Sequence, residues 1–578
     1  MPSIDRRAFL VTLGCASLAH SSPLTRPGLL SRREIDDDLL EVTISRLQQF
    51  YARRKYSVAE VVQWYLDRIH RYNGIYRAVE AVLGADALRM AARADSDSRP
   101  LGARGPLWGV PIVIKANTSI RGQVTTDGWA GFTRAGHELI ASRDATIVAK
   151  LRAAGAIIIG HTNMPDFAAS DTTRSSSFGR TGNAYDVRFS PGGSSGGTVT
   201  AVTANLALLG TGTDTGNSIR MPAATSALVG VLPTRGLVSL AGIAPLDWLL
   251  DDTGPIARDV TDAAIALSVM AGEDPLDPAT AHRPVSVKPE DYVRSLKSAT
   301  LKGKRFAVPS FILKGEGMPF HGIPPEVPHQ LASKRRAEAG VPLRSETRAA
   351  FMRDVATLRA LGATIVFDDS VLPDRFTRLA AQVCTYAYVR EGTNRFLRNF
   401  GPAQYHSIQD YERSVGQPVA ATITGAEPEF ARIGDYKISQ VAIEDDPSAK
   451  ADYFAPRERM LTAYLEPLQR LHLDGYVYPP IQMPPPDETM PQDGRISEGP
   501  HSLTSFANVI GVPAVVVVGG FYPDGLPYGL EFSGRPWRDG DLLGWAYAWE
   551  QATHYRHPPT LVTAGLLSDT PKNNSESP

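Results

Sequence analysis

The 578-residue chain is 43% hydrophobic, 21% charged and 8% aromatic, and its 60 Lys and Arg balance 61 Asp and Glu to a formal net charge of -1. Apolar residues at this density exclude a disordered polyelectrolyte, and near-neutrality without a basic block argues against a nucleic-acid-binding surface. The length admits about two to four domains of usual size or one large α/β unit, so core size is not limiting.

Residues 5–19 read Asp-Arg-Arg-Ala-Phe-Leu-Val-Thr-Leu-Gly-Cys-Ala-Ser-Leu-Ala. The pair Arg6-Arg7 precedes a short apolar run, and Ser17-Leu-Ala19 has the small-x-small form of a cleavage site, which together make the anatomy of a signal peptide. With Phe9-Leu10 behind it, the pair resembles the bacterial twin-arginine export signal, so residues 1–19 are expected to direct a folded protein to the periplasm or outside the cell. The alternative for this stretch is a disordered basic start. Lipidation at Cys15 is weaker, because Thr12-Leu-Gly-Cys15 departs from the usual Leu-Ala-Gly-Cys box. No later stretch approaches the roughly 18 uninterrupted apolar residues of a membrane span, and no stable membrane association is expected. The second cysteine, Cys384, belongs to no CxxC pair and reads as a packed thiol.

Ser57-Val-Ala-Glu60 is a capping box opening a helix whose Val58, Val62, Tyr65 and Ile69 share one face. Residues 109–115, Gly-Val-Pro-Ile-Val-Ile-Lys, read as a buried strand. Residues 151–158 and 358–365 repeat one pattern: a helix end, a capping glycine, then an apolar strand. Residues 512–518 and 528–534 supply further strands, and Leu542, Trp545, Ala546 and Trp549 mark an amphipathic helix. The result is an α/β fold with helices covering a mainly buried sheet drawn from both ends of the chain. The Pro-rich stretches 315–342 and 478–486 lack the periodicity of a separate core and read as surface insertions, and the polar tail 568–578 reads as disordered.

The least ordinary composition lies between residues 190 and 220, where Ser-Pro-Gly-Gly-Ser-Ser-Gly-Gly is followed by Leu209-Gly-Thr-Gly-Thr-Asp-Thr-Gly-Asn-Ser-Ile-Arg220. Glycine permits positive φ and close approach of backbone amides to a ligand. N–H groups beside hydroxyls can then stabilise an oxyanion, hold a phosphate or merely turn the chain. A phosphate loop would need GxxxxGK[ST], or GxGxxG between a strand and a helix, and neither is present. Gly192-Gly-Ser194-Ser-Gly196 satisfies a nucleophile elbow formally, but the residues upstream are mostly polar where that motif needs an apolar strand.

In order and spacing the chain resembles the amidase signature family from about residue 38 to about residue 560. The resemblance is carried by residues 109–115, Met164-Pro-Asp-Phe-Ala, Pro191-Gly-Gly-Ser-Ser-Gly-Gly197, residues 212–220, and Asp524-Gly-Leu-Pro-Tyr-Gly-Leu with Gly534-Arg-Pro; residues about 280 to 480 match far less. It implies a single α/β/α domain with a central mixed sheet covered by helices, and no metal or organic cofactor. It also implies a Ser-cisSer-Lys triad of Ser218 as nucleophile, Ser194 as bridging cis-serine and Lys115 as base; the 24-residue step from Ser194 to Ser218 fits the family pattern. Backbone N–H groups of Thr215, Gly216, Asn217 and Ser218 would form the oxyanion hole, with Ser195, Asp214 and Arg220 as polar support. Taken without the resemblance, Lys115 would snorkel to solvent and Ser218 would cap a helix.

Two positions depart from the family pattern. Asn217 stands where glycine is commonest before the nucleophile; Asn tolerates left-handed backbone, so the turn is expected to survive beside a narrower or more polar acyl pocket. Ala116 stands where Asp often follows the lysine. The expected activity is hydrolysis of a carboxamide C–N bond through a seryl acyl-enzyme, releasing ammonia or an amine, by a monomer or homodimer. The substrate would be a small-molecule or peptide amide, with no nucleic acid involved. The alternatives are an enzyme like the A subunit of glutamyl-tRNA amidotransferase and a catalytically degenerate binding protein of the same fold. Intact Lys115, Ser194 and Ser218 count against the latter.

Overall fold

The computed structural model describes residues 32–282, 284, 286, 292–315, 341–380, 382–424, 438–489 and 499–559. The expected export segment 1–19, most of the Pro-rich stretch 315–342 and the tail 568–578 lie outside them. The chain divides into two units, residues 1–39 and 40–578, and the first contributes the helix Arg32–Leu39.

The strands of the second unit are β1 (Val79–Val82), β2 (Pro111–Lys115), β3 (Ile157–Thr162), β4 (Arg174–Ser175), β5 (Gly179–Arg180), β6 (Leu209–Asp214) and β7 (Val229–Leu232). They continue with β8 (Asp252–Ala257), β9 (Arg305–Ala307), β10 (Thr364–Val366), β11 (Gly475–Tyr478), β12 (Ala514–Phe521) and β13 (Pro527–Ser533). Eleven of these form one sheet in the order β1-β3-β2-β6-β8-β7-β12-β13-β11-β9-β10, and β4 pairs with β5 separately. The sheet is mixed: β3, β2 and β6 run parallel, as do β11, β9 and β10, and the other pairings are antiparallel. Every residue of β2, β3 and β6 is buried, which is why β2 and the first half of β3 are continuous rather than alternating apolar runs; β6 is instead built of small glycines and threonines ending in Asp214.

Local signals explain the helices that cover it. Helix Val58–Tyr76 begins with the expected capping box, Ser57 Oγ accepting from the Glu60 N–H (3.1 Å) and Glu60 Oε2 accepting from the Ser57 N–H (2.8 Å). Its Val58, Val62, Tyr65 and Ile69 are buried. Both helix-to-strand units form: Thr146–Ala153 leads into β3 and Ser345–Ala360 into β10. Gly155 between the first pair has φ +94°, and a Cβ there would lie 2.6 Å from Trp108 Cα, so the turn accepts only glycine.

The stretch 478–486 is not the surface insertion expected from its prolines. Tyr478, Ile481 and Gln482 are fully buried. Pro479-Pro480 carries no N–H needing a partner, and the Gln482 backbone is satisfied by His501 O (3.0 Å) and the Arg344 N–H (2.9 Å), so the chain can cross the interior in extended form. Cys384 is a buried free thiol, pushed up to about 11 by burial, in agreement with a packing role. From the weakly matching middle, helices Val389–Phe400 and Ile408–Val415 pack Phe396, Phe400 and Tyr411 with Phe132 and Phe167. No helix among the described residues is long and apolar enough to cross a membrane.

Candidate active site

Parallel neighbours β2 and β6 end side by side, bringing Lys115, the last residue of β2, next to Thr213 and Asp214. Carboxyl ends of parallel strands are where open α/β sheets gather ligand groups. Lys115 is fully buried, and its Nζ donates to Ser194 Oγ (2.7 Å), Thr213 Oγ1 (2.8 Å) and Ser195 Oγ (3.0 Å). Ser195 Oγ donates in turn to Thr213 O (3.2 Å), and Asn117 Nδ2 donates to Thr213 Oγ1 (3.1 Å). The lysine ends inside the protein, so it does not snorkel. Burial pushes its amine down to about 7, against the opposing pull of the Asp127, Asp214 and Asp251 carboxylates.

Ser194 and Ser195 enter through the Gly/Ser loop, where the peptide bond from Gly193 to Ser194 is cis and the helix Gly196–Thr203 follows. Only Gly192 among the loop's glycines needs a left-handed backbone, with φ +75°. The others serve close packing: a Cβ on Gly212 would stand 2.8 Å from Ile219 Cγ1 and 2.9 Å from Ser195 Oγ. The expectation of positive φ therefore holds at one position, and sterics between neighbouring chain segments explain the rest.

Ser218 follows in the turn after β6, its backbone O accepting from the Ser195 N–H (3.2 Å), which ties the two serine loops together. It is 6% exposed, whereas Ser194 and Lys115 are 0% exposed, so Ser218 is the member of the three that reaches outward. Its hydroxyl makes no hydrogen bond among the described residues. The same holds for the backbone N–H groups of Gly216, Asn217 and Ser218, three neighbouring donors left free beside one hydroxyl. Ser218 does not cap the short helix Arg220–Ala224; the Asp214 carboxylate takes the Ile219 N–H (3.0 Å) instead. Asn217 is not in a left-handed conformation, so its tolerance of that region is not what admits it; its Nδ2 instead points to Asp171 Oδ1 at 3.4 Å.

Arg220 fixes the turn from beneath. It is fully buried and bonds Asp214 Oδ2 (3.1 Å), Glu531 Oε1 (2.9 Å), Gly216 O (2.7 Å), Asn508 Oδ1 (2.8 Å) and Thr504 O (3.1 Å). Burial alone would raise the Asp214 carboxyl, but the Arg220 guanidinium outweighs it and holds the group below its ordinary value. Arg220→Met should cost about 3–5 kcal/mol of stability, because it strands two buried carboxylates whose shared partner is lost. A denaturant midpoint equal to that of the unsubstituted protein would contradict this.

The structure thus brings Lys115, Ser194, Ser195, Asp214, Ser218 and Arg220 into one cluster with the N–H groups of residues 216–218. Ala116 lies beneath it, buried with Met164 and Ala168. Sequence reasoning missed Thr213, which lay inside a quoted block but drew no attention beside its more polar neighbours. It also missed Asn117, Asn508 and Glu531, of which the last two arrive from the helix Phe506–Ile510 and from β13, about 300 residues later. Asp251 was missed as well; it accepts from Thr215 Oγ1 at 2.6 Å and is raised to about 7 by burial. No local pattern marks such long-range partners.

Comparison with known proteins identifies the family. The family described as Amidase matches residues 60–319. The A subunit of the glutamyl-tRNA(Gln) amidotransferase of Syntrophobacter fumaroxidans is 31% identical over 533 residues, covering 90% of this chain and 99% of that protein. Among solved structures, the peptide amidase of Stenotrophomonas maltophilia has a TM-score of 0.69 at 28% identity, covering 90% of this chain and 98% of that one. The corresponding A subunit from Thermotoga maritima has the same fold, with a TM-score of 0.64 at 24% identity over 90% and 97% of the two chains. A buried lysine bonded to paired serines at the end of β2, in a chain matched along nine-tenths of its length, belongs to an enzyme of the amidase signature family.

Proposed function

We propose that the protein hydrolyses a carboxamide through an acyl-enzyme on Ser218, with Ser194 as proton relay and Lys115 as base. The observation that carries this reading is the 2.7 Å contact between Ser194 Oγ and a fully buried Lys115 amine whose proton affinity is lowered to about 7. In the unprotonated amine the direction of that hydrogen bond reverses. Two N–H bonds go to Ser195 and Thr213, and the lone pair accepts from the Ser194 hydroxyl. As Ser194 gives its proton to Lys115 it takes one from Ser218, whose oxygen attacks the amide carbonyl. The oxyanion that forms is met by the free N–H groups of residues 216–218, donors already fixed in place before reaction. Collapse breaks the C–N bond. The nitrogen leaves as ammonia or an amine with the proton returned through Ser194, and water then cleaves the ester by the reverse relay.

A second reading is favoured by the curated relatives, which are named amidotransferase A subunits: the same acyl-enzyme chemistry would release ammonia for a tRNA-linked acceptor inside a complex. Structural similarity runs slightly higher to the peptide amidase. Both share the Ser218 step and differ in what the nitrogen meets. Purified protein without ATP, tRNA or partner chains is expected to release ammonia or amine from at least one member of a panel of peptide, aryl, fatty and carbamate amides. Activity that arises only with cytosolic partners and tRNA would overturn the free-standing reading in favour of the amidotransferase.

The free-standing reading goes with twin-arginine export through residues 1–19, for which Arg6-Arg7 and Ser17-Leu-Ala19 are the support. Export would separate the enzyme from charged tRNA. Substituting lysine for both Arg6 and Arg7 should leave active enzyme trapped in the cytoplasm, as fractionation of the native host would show. Unsubstituted protein recovered in the cytoplasm with residues 1–19 intact would contradict it.

A further inference from the structure

Besides Asp214, two carboxyl groups act on the lysine, Asp127 and Asp251, and two more, Asp166 and Glu80, act on Asp127. Three have partners. Asp251 accepts from Thr215 Oγ1 (2.6 Å) and the Leu246 N–H (3.1 Å), Asp166 from the Ser176 N–H (2.7 Å), and Glu80 from Thr126 Oγ1 (2.5 Å). Asp127 has none among the described residues. It is 2% exposed, and its carboxyl makes no hydrogen bond to any of them. Of the charges acting on Lys115 it is the strongest, and Lys115 is in turn the strongest charge acting on it, yet no direct ion pair joins them.

A turn does not account for this group. Asp127 has φ +48° and precedes Gly128, so aspartate suits the backbone there, but a turn-forming aspartate ordinarily spends its carboxylate on its own loop. A buried carboxyl without a partner keeps its proton: burial holds Asp127 well above the ordinary carboxylate range, with the Lys115 charge opposing, so the group ionises only when something absent from the free protein supplies a counter-charge. The backbone of Asp127 is clamped between the catalytic strand and an apolar wall. Its N–H donates to Ala116 O (3.2 Å), and its carbonyl accepts from the N–H of Phe167 (2.7 Å). Phe167 packs with Trp129 (5.5 Å between ring centroids) and Phe132 (6.1 Å). Two surface clefts elsewhere, one including Arg258 and Trp549 and the other Ser310 and Arg378, share no residue with this arrangement.

Resting on the amide-hydrolase reading, we infer that the substrate carries a positive charge, an ammonium or guanidinium on an apolar stem, with the unpartnered Asp127 carboxyl, ionised as the cation arrives, as its counter-charge and the Trp129–Phe167 wall against the stem. Lys115 does not oppose the cation in its unprotonated working form. Asp127 is then a specificity residue and takes no part in bond making.

Calorimetric titration of the Ser218→Ala protein tests this with two ligand pairs. Benzoyl-arginine amide against benzoyl-citrulline amide varies charge on the side chain, and phenylalanine amide against N-acetylphenylalanine amide varies it on the α-amine. In at least one pair the cationic member should bind about tenfold or more tightly, and Asp127→Asn should bring that ratio toward unity. Absence of charge preference in both pairs, or the same preference in folded Asp127→Asn, overturns the inference. If Asp127→Asn does not fold, the two pairs on Ser218→Ala alone decide. Ammonia release by the unsubstituted protein separates the two claims. Release without charge preference removes only this one; charge-selective binding with no release from any amide removes only the hydrolase reading.

Discussion

Ser218→Ala should lower kcat/KM for any turned-over amide by about 10⁴-fold or more, because the proposed mechanism forms its ester on that hydroxyl and no neighbouring group can take its place. Ser194 and Ser195 are sealed at 0% exposure and engaged with Lys115, so neither offers an alternative nucleophile. The same substitution leaves the Arg220 network untouched, since Ser218 takes no part in it through its side chain. Thermal stability should therefore stay close to that of the parent. A fall of less than tenfold in a folded Ser218→Ala protein would place the nucleophile elsewhere.

Lys115→Ala should cost about 10²–10⁴-fold in kcat, the range of a lost general base. The pH dependence carries the more specific expectation. With the amine lowered to about 7 by burial, Lys115 is protonated below that value and cannot accept from Ser194, so activity should fall about tenfold per pH unit on the acid side and level off above it. The same shift has a stability consequence. The unfolded chain holds this proton up to about 10.4 and the folded one only to about 7, so burying Lys115 weakens the fold most below pH 7, and the penalty disappears as pH rises toward 10. An acid limb that persists unchanged in folded Lys115→Ala would remove the lysine from the mechanism.

Local patterns made much of the fold legible. The capping box at Ser57, the glycines at 155 and 362 and the apolar runs of β2 and β12 each act within a few residues, and each element formed where expected, give or take its ends. The stretch 478–486 was misread because prolines signal exposure on average, while here their missing N–H groups are what allow burial. At the site, Lys115, Ser194 and Ser218 stood out through family blocks, not through local physics, which favoured a snorkelling lysine and a helix cap. Of the groups that support them, Thr213 meets Lys115 across β6 and β2, while Asn508 and Glu531 come from the helix Phe506–Ile510 and β13, contacts that no window of sequence contains. Asp127 was hidden differently: next to glycine it looks like a turn residue, and only its burial and lack of a partner set it apart.

The central claim is that Ser218 becomes covalently acylated through a relay ending at Lys115. Peptide mass spectrometry after treatment with a fluorophosphonate probe tests it most directly. The account predicts a single adduct on Ser218, formed faster above pH 7 than below it, absent from Ser218→Ala and slowed in Lys115→Ala. An adduct on Ser194, or labelling that persists in Ser218→Ala, would contradict it.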